Sequence, residues 1–179
     1  MTEAMGESGY VSTSVADIIR RAGVSRETFY RLHDDKADCF LSALDLVAEI
    51  LVERVEHARV EGRRVDRVRA VVTAYLQLLA DEPAAARLFL VEVNAAGPAA
   101  ILRRAAVQER LAAGLVDVLA GDRERSLVAA RFVVAAVASL VVPLLVTDDL
   151  EGLLALGPTI VEHVAELDRA GVFGSDPLR

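Results

Sequence analysis

Between Ser25 and Lys36 the chain gathers side chains suited to meeting a polyanion: Arg26, Thr28, Tyr30, Arg31 and Lys36, the last being its sole lysine. An arginine at the start of a short helix can offer paired donors to the major-groove edge of guanine, and a threonine can offer its methyl to thymine. Thr28 also suits a phosphate. Tyr30, Arg31 and Lys36 suit phosphate contacts, which set register without reading sequence. Ser14 and Ser25 join the set as residues at helix starts, where backbone N–H groups meet phosphate oxygens. Other chemistry finds no residues to carry it. His33, His57 and His163 stand at no metal-ligand spacing with one another or with Cys39. There is no glycine-rich phosphate loop and no nucleophile elbow. Acidic pairs such as Asp34-Asp35, Asp81-Glu82 and Asp148-Asp149 fall at inferred helix boundaries, where capping explains them. The sequence therefore implies neither an enzyme nor a cofactor or metal.

Two short helices must position the basic residues. Val15, Ile18, Ile19 and Ala22 recur at helical spacing. Ser14 with Asp17 three residues on has the spacing of a capping box. Ala22-Gly23-Val24 makes the tight turn, and Ser25 caps a second helix over 26–32. Val15, Ile18, Ile19, Val24 and Phe29 are expected to pack the pair together, which is the plan of a helix-turn-helix. On periodicity alone, a helical corner with no nucleic-acid role is an equal reading.

The motif residues carry more than periodicity. Gly9-Tyr10, Thr13-Ser14-Val15, Asp17-Ile18, Arg21-Ala22-Gly23-Val24-Ser25, Thr28-Phe29-Tyr30 and Asp35-Lys36 together resemble the DNA-binding segment of TetR-family transcriptional regulators over residues 9–45. The resemblance implies an all-α homodimer that sets two recognition helices in successive major grooves, about 34–36 Å apart, on a palindromic operator. It implies a repressor released by a small molecule, working in the cytoplasm. Two departures stand out. Met1–Ser8 matches only the second half of the family's first helix, without the basic arm that often precedes it, and His33 stands where a buried Phe is usual. The alternative is therefore a dimeric small-molecule-binding protein whose DNA binding is weakened or lost through the short N-terminus.

The expected organisation is a helix-turn-helix unit over 1–48, its first helix truncated, followed by a helical effector-binding and dimerisation domain over 49–179, about nine helices in all. They are expected near 2–8, 14–22, 26–32, 36–60, 65–81, 84–94, 98–120, 123–147 and 150–170. Candidate walls of an effector cavity are Tyr75, Leu79, Phe89, Val93, Asn94, Val107, Leu111 and Phe132, though for each of them a place in a plain core is the stronger reading. They suggest a neutral or hydrophobic effector. The run from Phe132 to Val146 is apolar on every side, so most of its faces must be covered. At this length, with Arg131 before it and Pro143 within it, the run is read as a bundle helix rather than a membrane span. Ala135, Ala136, Ala138 and Ser139 would let a neighbouring helix close in, and Leu153, Leu156, Ile160, Val164 and Leu167 form a stripe on the next helix.

The bulk numbers agree. The 179 residues are 54% hydrophobic and 4% aromatic, with no tryptophan. The net charge of −7 counts against indiscriminate polyanion binding. Residues 1–36 hold five basic against six acidic side chains, so most of the acidity lies beyond them. A lone Cys39 permits no internal disulfide and fits a reducing compartment, and no signal peptide is read at the N-terminus.

Overall fold

Capping fixes the first boundaries. In the computed structural model, which describes residues 2–120 and 123–174, the Ser14 side chain accepts from the Asp17 backbone N–H. Asp17 in turn accepts from the Ser14 backbone N–H, so both limbs of the capping box are present. They start helix α2 (Val15–Ala22), and Gly23, in the left-handed region at φ 66°, ends it. Only glycine adopts that region without penalty, which is what so short a turn requires. Ser25 accepts from the Thr28 N–H to start α3 (Arg26–Leu32), and Asp35 accepts from the Asp38 N–H to start α4 (Lys36–His57). Upstream, α1 (Thr2–Ser12) runs past its expected end at Gly9, where the chain leaves helical geometry (φ 72°, ψ 169°) and then resumes it.

The remaining helices are α5 (Arg64–Asp81), α6 (Pro83–Leu90), α7 (Pro98–Leu119), α8 (Arg123–Val146) and α9 (Leu150–Arg169), with a 3₁₀ turn at Glu92–Asn94. No strand occurs among the described residues. Two boundaries differ from expectation. Helix α4 stops at His57 rather than near 60, and the expected helix over 84–94 divides into α6 and the 3₁₀ turn. Pro83 and Pro98 sit at the first position of α6 and α7, where the missing N–H costs nothing.

Helix α5 packs on α9, α7 on α8, and α4 on both α5 and α7. At the α5–α9 contact, Gly157 leaves room for Leu76, whose Cδ1 would lie 3.6 Å from a Cβ at that position. Apolar side chains form two clusters. The small one joins Ala4, Ile18, Phe29 and Cys39, with Val15 and Ile19 against it. The large one fills the body and takes in Met5, Phe40 and Leu44. Helices α1 and α4 thus contribute to both, and α1 packs more extensively on α6 than on α2. Val24 does not join the small cluster: it follows the left-handed Gly23 and is turned to the surface, as is Ala22. Burial pushes the Cys39 thiol up, which suits a packed side chain and opposes a reactive thiolate.

Helix α8 is long and apolar enough to cross a membrane by length and composition, but its two sides differ. Ala130, Val141 and Leu145 are buried, whereas Val128, Phe132, Leu140 and Val146 are exposed. Helix α9 turns Leu153, Ile160 and Val164 inward and leaves Leu154 and Leu167 outside. The expected stripe on α9 therefore faces its own bundle, with only Leu167 at the surface.

Candidate functional site

Helix α3 presents one side to the small cluster through Phe29, and the opposite side to solvent. On the outer side the Arg26 guanidinium lies over the Tyr30 ring at 5.4 Å from its centroid. That stacking holds a flexible arginine extended along the helix before any ligand arrives. Tyr30 is 45% exposed, and Arg26 and Arg31 are open to solvent. Among the described residues neither arginine has a carboxylate partner. Cations nearby are already matched: Arg20 pairs with Asp17 at 2.6 Å, and Arg21 lies 3.6 Å from Glu3. Thr28 is half-buried, its hydroxyl 3.0 Å from the Ser25 hydroxyl, so the two cap the helix together. Ser14 is exposed at the start of α2.

Lys36 differs from its expected place. Its ammonium donates to the backbone carbonyls of Tyr10 (2.9 Å) and Thr13 (3.0 Å) and lies 4.2 Å from the Tyr10 ring centroid. Two of its three donors therefore fasten the end of α1 to the start of α4. His33 is half-buried against Phe29, with ring centroids 5.6 Å apart, and its Nδ1 is 3.5 Å from Asp38 Oδ2.

A second site lies inside the body. Val55 from α4, Arg59 just beyond its end, Tyr75 from α5, Phe89 from α6, Leu111 and Leu115 from α7 and Val134 from α8 surround a cavity of about 80 Å³ that opens to solvent. Its walls are apolar apart from Arg59, Tyr75 and Gln108. Burial pushes the Tyr75 phenol above its usual range, so it stays a neutral hydroxyl.

Of the expected cavity residues, Tyr75, Phe89 and Leu111 come together here. Leu79 lines a separate groove between α4, α5 and α6. Val93 and Val107 are packed in the core away from the cavity wall. Asn94 is exposed at the 3₁₀ turn, with its amide donating to the Val91 carbonyl. Phe132 is corrected most plainly: it is 73% exposed on the outer side of α8, because the inward side of that helix is set by Ala130, Val133, Val134 and Val137. Arg59 carries no sequence signal for the cavity: it falls inside the helix expected over 36–60, whereas in the structure it follows the end of α4.

The two sites are physically joined. Phe89 and Leu90 at the end of α6 line the cavity, and Glu92 follows two residues later. The Tyr10 backbone N–H donates to Glu92 Oε2 at 2.6 Å across 82 residues of sequence. The bond falls at the kink in α1, where N–H groups are left without helical partners. A Cβ at Gly9 would lie 3.3 Å from the same carboxylate oxygen. The Tyr10 carbonyl then accepts from Lys36, so the tie continues into α4.

Comparison with known proteins agrees with this arrangement. Residues 2–43 match the family described as bacterial regulatory proteins, tetR family. No curated protein matches the chain in sequence. Among solved structures, the fatty acid degradation regulator FadR from Bacillus halodurans superposes with a TM-score of 0.76 at 17% identity, covering 90% of this chain and 91% of that one. FadR from Bacillus subtilis, in complex with stearoyl-CoA, gives 0.75 at 20% identity, covering 90% and 91%. The regulator PfmR from Thermus thermophilus gives 0.70 at 19% identity, covering 90% and 94%. Residues 2–43 thus carry the segment that describes the tetR family of bacterial regulatory proteins, and the chain as a whole shares its fold with regulators of this kind.

Proposed function

We propose that the protein is a homodimeric repressor that grips a palindromic operator with α3 and leaves it when a small molecule fills the cavity. The observation that carries this reading is the tie from cavity wall to DNA-binding unit: Phe89 and Leu90 touch the cavity, and Glu92 holds the Tyr10 N–H. A ligand acts only through different affinities for two conformers. Displacing Phe89 and Leu90 moves Glu92, and with it α1, against which α2 and α3 are set. Helix α4 supplies a parallel route, since it contributes Val55 to the cavity and Lys36 to the end of α1. The N-terminal helix-turn-helix unit and the body, divided near residue 48, then serve as reader and sensor.

In the DNA-binding role, Arg26 reads a base edge and Tyr30 and Arg31 fix phosphates, with Ser14 and Ser25 presenting helix-start N–H groups. Lys36 braces the unit from within. The exposed side of α8, with Val128, Phe132, Leu140 and Val146 beside the small Ala135, Ala136 and Ser139, supports pairing with a second copy. Apolar patches of this kind mark association surfaces. Arg131, whose guanidinium bonds Glu109 at 2.7 Å, and the packing of the other side on α7 and α9 suit that better than a lipid setting.

Electrophoretic mobility shift on the DNA upstream of the protein's own gene tests the reading. It expects a complex of two chains per duplex that dissociates as salt rises and on addition of a cavity ligand. A ligand that binds without changing the DNA affinity refutes the switch. Failure of any specific complex favours the ligand-binding protein without DNA function.

A further inference from the structure

We infer that the effector is an amphipathic anion, its aliphatic body among the apolar walls of the cavity and its anionic head paired with Arg59. This rests on the cavity being the effector site and goes further by naming the head group and its anchor.

Arg59 is the sole charged residue among the described cavity-lining residues, and no carboxylate faces it there. Among the described residues its side chain has no ion pair or hydrogen bond. Its guanidinium crosses α7 at Gly114, where a Cβ would lie 3.0 Å from Nη2. A glycine in a helix interior is destabilising relative to alanine. Here the missing side chain leaves the room through which the guanidinium reaches the cavity edge. Walls such as Val55, Leu115 and Val164 exclude water from the ligand's body, while Arg59 stays at the solvent-exposed end.

That asymmetry matches a ligand with one charged end. An unpartnered guanidinium beside an apolar cavity favours a carboxylate or phosphate, which it meets with two parallel N–H donors. A wholly neutral ligand gains no ion pair from that cation, so the expected neutral or hydrophobic effector is refined to one that is apolar in body only. Tyr75 and Gln108 add neutral donors along the wall. The anionic head can belong to a free fatty acid or to an acyl-CoA, and direct comparison separates the two.

Calorimetric titration of the full chain with dodecanoate, dodecanoyl-CoA and dodecanol, below their micellar concentrations, is the test. At least one of the two anions should bind about tenfold more tightly than the alcohol, equivalent to about 1.4 kcal/mol, and the tighter one identifies the head. Arg59→Gln should bring that anion down to the alcohol's affinity without altering the alcohol, and Arg59→Lys should restore part of the difference. Thermal unfolding of each variant without ligand checks that it folds. Equal binding of all three in the wild type overturns the role of Arg59 and leaves the cavity as the effector site. So does an anion preference that survives Arg59→Gln. No binding by any of them, with the protein folded, overturns this inference. If screens of unrelated apolar compounds also fail, the reading of the cavity falls too.

Discussion

Removing the Glu92 carboxylate should uncouple effector from operator while leaving both binding sites intact. Glu92 accepts from the Tyr10 N–H at 2.6 Å in a partly buried setting. A hydrogen bond to a charged group contributes about 1.5–3 kcal/mol, and leaving a buried donor unmatched costs about 1–3 kcal/mol. Because Glu92 is only half-buried, water recovers some of this, and about 1–2 kcal/mol is the expected loss. In a protein of this size that lowers Tm by about 2–8 °C. If the bond carries the switch, the same energy leaves the coupling, so the ratio of operator affinities without and with effector should fall about 5–30-fold in Glu92→Ala. Fluorescence anisotropy with a labelled operator, titrated with and without saturating effector, reads that ratio directly. Calorimetry should show effector affinity for the free protein within about twofold of wild type. Glu92→Gln, which keeps an acceptor and loses the charge, should fall between. An unchanged ratio in Glu92→Ala, with lowered Tm showing that the bond was lost, refutes the coupling route through α6.

Other perturbations probe separate parts of the account. Arg26→Ala should relax base preference at one position in each half-site and cost about 1–3 kcal/mol there, read by binding to a panel of operator variants. Lys36→Ala should instead lower Tm and weaken all sequences alike, because its ammonium is committed to the Tyr10 and Thr13 carbonyls. Phe132→Glu, on the exposed side of α8, should convert a dimer to monomers in analytical ultracentrifugation while Tm stays within a few degrees. Asp17 is held below the ordinary carboxylate range of 3.8, first by the Ser14 hydroxyl and backbone N–H and then by Arg20. Its contribution is therefore complete above that value and is lost as pH falls through the lower folded-state value. Asp17→Asn should flatten the decline of Tm as pH falls below 3.8.

The helices were legible because local chemistry dictates them. Ser14 with Asp17, Ser25 with Thr28 and Asp35 with Asp38 place three helix starts within one residue of expectation, since a cap acts over one turn of chain. The α4 end was harder: nothing in Ala58-Arg59-Val60 marks it as sharply as a glycine would, and the break comes ahead of Gly62. Phe132 was misplaced because an all-apolar helix has no polar side to show which way it faces. Its inward and outward sides are decided by packing against α7 and α9. The cavity was half legible for a related reason, since Tyr75, Phe89 and Leu111 sit on inward helix sides while Arg59 reaches it across Gly114 from beyond the end of α4. The bond from Glu92 to Tyr10 could not be seen at all, because 82 residues separate its ends and Glu92 lies in no motif. Lys36 was read as surface charge, and only the meeting of α1 with α4 shows its two carbonyl partners.

The central claim is that the outer side of α3 reads a duplex, and in vitro selection from a random-sequence DNA library tests it most directly. The account predicts convergence on an inverted repeat whose half-sites lie one helical turn apart, about 34–36 Å, with the base opposite Arg26 losing its enrichment when Arg26→Ala is used for selection. Recovery of no common sequence, or of the same sequence with Arg26 removed, would contradict it.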